Sequence, residues 1–180
     1  MIAFADALVI VALGGLGGLA ASGSALLPVA WIAATTPMLV RSDLRSRRLP
    51  NSLTLPGLGI LVVSLVWTAF VDPAGALVGG VATAVTALVA YLAALTPGLG
   101  MGDAKLGTLA VASIALISVD LVVVVVVVAS LVALAAVGRA RLVLRRRDDR
   151  RVPLGATTVA FGPCLLLGYW VGLAVACFAA

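Results

Sequence analysis

An all-α fold, a polytopic transmembrane helical bundle of about six or seven spans, follows from three features of this 180-residue sequence. Hydrophobic residues make up 63% of the chain and charged residues 11%, which leaves too little polar surface to cover a soluble domain of this size. The apolar residues gather into about seven stretches of roughly the 20 residues that a bilayer crossing needs. Those stretches are apolar on every side, whereas the strands of a membrane barrel alternate apolar and polar residues.

The stretches lie near 2–21, 24–41, 52–71, 74–96, 104–118, 121–138 and 153–178. The first follows Met1 without a basic flank and is long enough to span, so it reads as a retained helix rather than a cleaved targeting segment. The second ends at Arg41. Pro50 fixes a turn before the third, with Asn51 and Ser52 as helix-opening residues. Asp72 with Pro73 marks the break before the fourth. The fifth is short, and is expected to be tilted, partly re-entrant or joined to the sixth around Asp120. In the sixth, valines run without a break from Val122 to Val128. Valine favours strands in water, but a lone strand in lipid cannot satisfy its backbone, so the run reads as helix. The seventh stretch carries Cys164 and Cys177, too far apart along one helix to pair, and both read as small apolar packing residues. Residues 1–180 are expected to form a single membrane-embedded domain.

The 12 basic residues set the orientation, because short loops rich in Lys and Arg stay in the cytoplasm. They fall into three clusters: Arg41, Arg45, Arg47 and Arg48; Lys105; and Arg139, Arg141, Arg145, Arg146, Arg147, Arg150 and Arg151. With seven spans all three lie on one side, the N-terminus is cytoplasmic, and the turns near Ser22 and Asp72 face outward. The clusters suit contact with anionic lipid head groups, and no nucleic acid is expected as a partner. Arg outnumbers Lys heavily, and Ala, Val and Gly abound. That bias points to a GC-rich bacterial genome, and so to a bacterial plasma membrane.

Elimination narrows the chemistry. The acidic residues number 7, all of them Asp, and there is no His. Ser-His, Cys-His and His-Glu metalloprotease arrangements are therefore excluded. Two separate cysteines give no ligand set for a structural zinc, and neither a metal nor a cofactor is expected. An enzyme built on this chain works through aspartates.

Most of those aspartates have an ordinary explanation. Asp148 and Asp149 lie within a run of Arg and read as solvated counter-charges. Asp72 and Asp120 mark turns or helix starts. Asp6 lies near the N-terminus, where the helix dipole favours a carboxylate. Asp103, in Gly100-Met101-Gly102-Asp103, looks like a helix N-cap. Asp43 ends a hydrophobic span, where a helix C-terminus disfavours an anion, and an i,i+4 pair with Arg47 offsets that.

Taken together, Asp43 and Asp103 also admit a catalytic reading. Two carboxylates on one face of the bilayer can converge and share a proton, one polarising water while the other donates to a peptide carbonyl or leaving amine. Glycines at 98, 100 and 102 let backbone or substrate approach Asp103 closely.

These two segments resemble the type 4 prepilin peptidase family of GxGD-type membrane aspartyl proteases. Its members are similar to one another in an Asp-x5-Ile-Pro-Asn segment and a Gly-x-Gly-Asp-x-Lys-Leu segment. Here the first appears as Asp43 with Leu49, Pro50 and Asn51, Leu standing for the usual Ile. The second is intact, with Gly100, Gly102, Asp103, Lys105 and Leu106. Phe161, Gly162 and Pro163 resemble the family's C-terminal Phe-Gly-Pro. The resemblance runs from the second apolar stretch to the end of the chain.

The resemblance implies a bilayer aspartyl endopeptidase that cuts the basic leader from prepilins or pseudopilins, after a Gly, at the cytoplasmic face. Asp43 and Asp103 map onto the catalytic pair. Many larger members carry an N-terminal loop with Cys-x-x-Cys pairs that accompanies pilin N-methylation. This chain has no such loop and looks like the short, peptidase-only form found with tight-adherence pili. From a different class, a small proton- or ion-coupled transporter also places carboxylates in a membrane, although both aspartates here fall at one interface and no inverted repeat is evident.

Overall fold

The computed structural model describes residues 2–21, 23–46, 49–95, 100–146 and 160–179. They form seven α-helices: α1 (Ile2–Ala20), α2 (Leu26–Ser46), α3 (Asn51–Val71), α4 (Pro73–Ala94), α5 (Met101–Ala115), α6 (Asp120–Arg146) and α7 (Gly162–Ala179). Five helices are long and apolar enough to cross a membrane: α3, α4, α6, α7, and α2 with the 3-10 turn before it. Their outer faces carry large exposed apolar side chains, among them Trp67 and Phe70 of α3 and Leu77 and Leu88 of α4. A lipid environment requires such a belt and water does not tolerate it.

Successive helices run in opposite directions, and tight breaks make this possible. Between α1 and α2, Gly23 adopts φ 58°, a left-handed conformation that side-chain-bearing residues avoid. Asp72 caps α4, its Oδ1 accepting from the Gly75 N–H at 3.0 Å, with Pro73 at the first helical position, where no N–H is needed. Several hydroxyls inside the helices are satisfied locally: Thr36, Thr83 and Thr108 each donate to the carbonyl four residues back.

The short fifth stretch is the centre of the bundle. Helix α5 has 15 residues, so at 1.5 Å per residue it is about 22 Å long, less than the hydrocarbon thickness. Nearly every residue from Ala104 to Ala115 is buried, and α2, α3, α4, α6 and α7 all pack against it. Lipid does not surround it, so its ends need not reach both interfaces. At its C-terminal end residues 116–119 turn the chain into α6, so the fifth stretch is a separate helix and is not joined to the sixth as one span.

The valine run is helical and packs against α7 at backbone contact. A Cβ on Gly168 would stand 2.6 Å from the Val125 carbonyl oxygen and 2.9 Å from the Ala129 nitrogen, and one on Gly172 2.6 Å from Val125 Cγ2. Two glycines one turn apart thus receive the fully buried Val125, the small-residue geometry by which membrane helices approach closely. Helix α2 continues past Arg41 to Ser46, so Asp43 lies within a helix. Helix α6 likewise extends beyond its apolar stretch, to Arg146. Arg47, Arg48, Gly98, Asp148, Asp149 and the 153–159 part of the seventh stretch lie outside the described residues.

Candidate active site

One end of the bundle collects the residues singled out in the sequence. The C-terminal turn of α2 and the N-terminal turns of α3, α5 and α7 meet there, a consequence of the alternating helix directions.

Asp43 arrives through the core stripe of α2. Val29, Ile32, Thr36, Leu39 and Asp43 follow one another at spacings of three and four and all are buried, so they line one helix face. Asp43 is 3% exposed, so it does not lie at the surface; its expected i,i+4 partner Arg47 lies outside the described residues. Its Oδ2 accepts from the Gly162 N–H at 3.0 Å. Gly162 is the first residue of α7, so this N–H has no acceptor within its own helix. The positive end of α7 meets the carboxylate that the negative end of α2 disfavours.

The tripeptide Phe161-Gly162-Pro163 is built for this contact. Phe161 supplies the carbonyl that accepts from Leu165 N and packs against the core. Pro163 needs no donor in the first turn. At Gly162 a Cβ would lie 2.8 Å from Asp43 Oδ2, so a side chain there would have to displace the carboxylate from its present place. Two turns deeper, Trp170 Nε1 donates to Thr36 Oγ1 at 3.3 Å and fixes the register of α7 on α2.

Asp103 is the third residue of α5 rather than its N-cap, which corrects the simple capping reading. Gly100 is the N-cap, in an extended conformation (φ −77°, ψ 149°), and the Asp103 carboxyl turns back to the Gly100 backbone N–H, the reverse half of a capping box. Its Oδ1 is buried with no hydrogen-bond partner among the described residues. Asp43 is close enough for its charge to act on Asp103. Two such carboxyls do not both ionise readily, and one proton shared between them is the arrangement of an acid–base pair.

The turn from Leu49 to Asn51 closes onto the start of α5. A Cβ on Gly102 would fall 2.9 Å from Leu49 Cβ and 3.5 Å from the Leu49 backbone, so Gly102 admits this turn. Pro50 is the N-cap of α3, its carbonyl accepting from Leu53 N and Thr54 N at 3.1 and 3.3 Å. Asn51 Oδ1 accepts from Lys105 Nζ at 2.8 Å. The contact between Asp43 and Gly162 had no signal in the sequence, since 119 residues separate the partners.

Two further groups border the site. Asp6 forms an ion pair with Arg41, so it ties the start of α1 to α2, a partner beyond the expected helix dipole. Cys164 is buried in the first turn of α7 as a free thiol, and lies within reach of the Asp43 charge. Among the described residues no group of three or more His, Cys, Asp or Glu is placed to hold a metal ion.

A family model described as the type IV leader peptidase family matches residues 30–138, more than half of the chain. The chain belongs to that family. Neither a curated protein nor a solved structure matches it. The leader peptidase match takes in both aspartate segments and the α2–α3 turn, and ends within α6. The part played by α7 in this member of the family is therefore read from its geometry alone. Membership makes the protein a peptidase, and its long apolar helices make it a multi-pass membrane protein.

Proposed function

We propose that the protein is a membrane aspartyl endopeptidase that removes the N-terminal leader of type IV or Flp-type prepilins or pseudopilins. Cleavage follows a Gly at the cytoplasmic face of a bacterial plasma membrane. Asp43 and Asp103 are the catalytic pair. The observation that carries this reading is that two carboxyls distant in sequence are brought within reach of each other's charge at one end of the bundle, while Asp72 and Asp120 open helices.

In the first step one aspartate, ionised, takes a proton from water as its oxygen attacks the scissile carbonyl carbon. The other, protonated, gives its proton to the carbonyl oxygen. In the second step the C–N bond breaks, the leaving nitrogen takes the proton gained from water, and a hydroxyl proton of the intermediate returns to the second aspartate. The pair ends as it began and no cofactor takes part. The basic residues at the same end suit anionic head groups, which would hold the site at the membrane surface.

Co-expression with candidate prepilins, with loss of the leader scored by mass, tests this. Asp43→Asn and Asp103→Asn should each abolish cleavage with the protein still inserted and abundant, and Asp120→Asn should leave it active. Asn keeps an oxygen that can accept from the Gly162 or Gly100 N–H, so a merely structural role tolerates both changes. Cleavage near the wild-type rate by either variant would end the two-aspartate reading, and a transporter would leave every pilin uncut.

A further inference from the structure

We infer that Lys105 acts as a positioning residue: through its hydrogen bond to Asn51 it latches the α2–α3 turn onto α5 and so sets Asp43 against Asp103. The inference rests on the dyad proposed above and adds a group that does not itself touch the reacting atoms.

Lys105 stands two residues after Asp103 on the same helix, and side chains at i and i+2 do not face each other. Its ammonium instead reaches across to Asn51 Oδ1 at 2.8 Å, the first residue of α3. One turn of α5 thus points a carboxyl inward and an ammonium outward to the neighbouring segment. Leu49, two residues before Asn51, lies against Gly102. The turn is therefore seated on α5 at two points, one apolar and one polar.

The latch matters because of how the two aspartates are otherwise connected. Each sits on a different helix, and α2 meets α5 far less than α3, α4 or α7 does. Asp43 is fixed on one side by Gly162 of α7. On the other side its helix ends at Ser46, and the chain returns at Leu49 to the first turn of α5. Among the described residues, the Gly162 N–H and this turn both bear on the separation of the carboxyls, and the Lys105–Asn51 bond is part of the turn's seat. The bond lies exposed to water, where such contacts contribute little to stability, so its loss need not unfold the bundle. A small displacement of catalytic groups nevertheless costs up to about a hundredfold in rate.

The test is steady-state leader cleavage by the full-length protein in detergent or nanodiscs, with membrane abundance measured in parallel. Lys105→Met and Asn51→Leu should each lower kcat by about tenfold or more with KM within about twofold, and the double variant should be no slower than the slower single one. Asn51→Asp keeps the acceptor oxygen and should cleave about tenfold faster than Asn51→Leu. In a Lys105→Met background, Asn51→Asp should give no such gain over Asn51→Leu. Losses that multiply in the double variant, a change confined to KM, or an equal advantage for Asn51→Asp without Lys105 would overturn the latch. The dyad itself fails separately, if Asp43→Asn or Asp103→Asn still cleaves. Should those two be inactive while Lys105→Met and Asn51→Leu match wild type, the dyad stands and the latch falls.

Discussion

Gly162 stands where a methyl group would lie 2.8 Å from Oδ2 of Asp43, and the same residue donates its N–H to that oxygen at 3.0 Å. Its lack of a side chain and its place at the start of α7 therefore serve one contact. Gly162→Ala is expected to push the carboxylate aside, reducing leader cleavage by about tenfold or more. Trp170 and the rest of α7 should keep the protein inserted. Kinetics on protein normalised for membrane abundance would decide it, and an alanine variant that cuts normally would show that this N–H is dispensable.

Gly102 and Leu49 give a sharper test, because the closest atom to the missing Cβ is Leu49 Cβ at 2.9 Å. Gly102→Ala should be destabilising by about 1–3 kcal/mol, as overpacking usually is, and slow in cleavage. Adding Leu49→Gly should restore much of the loss, whereas Leu49→Ala, which retains the clashing atom, should not. Equal rescue by both would mean that the outer Leu49 side chain, rather than its Cβ, makes the contact.

At Gly168 the obstruction is backbone: the Val125 oxygen and Ala129 nitrogen lie 2.6 and 2.9 Å from the built Cβ. Side-chain rotation cannot relieve it. Gly168→Ala should lower the melting temperature in detergent markedly, while Gly80→Ala, with no atom within 4 Å, should not. Similar melting of the two would contradict backbone-level packing between α6 and α7.

Asp72 separates capping from catalysis. Replacing it by Ala removes the acceptor for the Gly75 N–H and should cost about 1 kcal/mol, while Asn, an equally good cap, should cost little. Neither should alter the cleavage rate per folded molecule. A slowed Asp72→Asn enzyme would implicate that residue in the reaction.

Orientation is open to direct labelling. In a background lacking Cys164 and Cys177, single cysteines at Arg45 and Met101 belong to the end that holds the aspartates, and those at Asp72 and Val119 to the opposite end. An impermeant thiol reagent applied to intact cells should reach only the second pair. Labelling of Arg45→Cys or Met101→Cys from outside would place the site on the wrong face.

Helix number and approximate position were legible because lipid demands long apolar runs and the polar breaks are sharp, as at Asp72-Pro73. The ends were less so. Helix α2 passes through Arg41 to Ser46 because Asp43 faces inward, and hydropathy averaged over all faces misses that. The spacing of Val29, Ile32, Thr36, Leu39 and Asp43 did contain the signal. Both aspartates and the turn between Leu49 and Asn51 were visible as local segments. The supports between segments were not: Gly162 with Asp43, Leu49 with Gly102 and Asp6 with Arg41 depend on which helices become neighbours. Asp103 shows a subtler limit, since a carboxyl that caps and one that reacts share the same Gly-rich surroundings.

The place of α7 also has a consequence for biosynthesis. A ribosome delivers Asp43 and Asp103 well before Gly162, so a nascent chain holds both acids while the group that secures the first of them has yet to be made. Short α5, too, waits for neighbours to bury it. Under the proposed two-aspartate mechanism, proteolytic competence would be tied to completion of the last helix. On that mechanism, a chain halted before residue 160 would carry the full pair of acids without the N–H that secures the first.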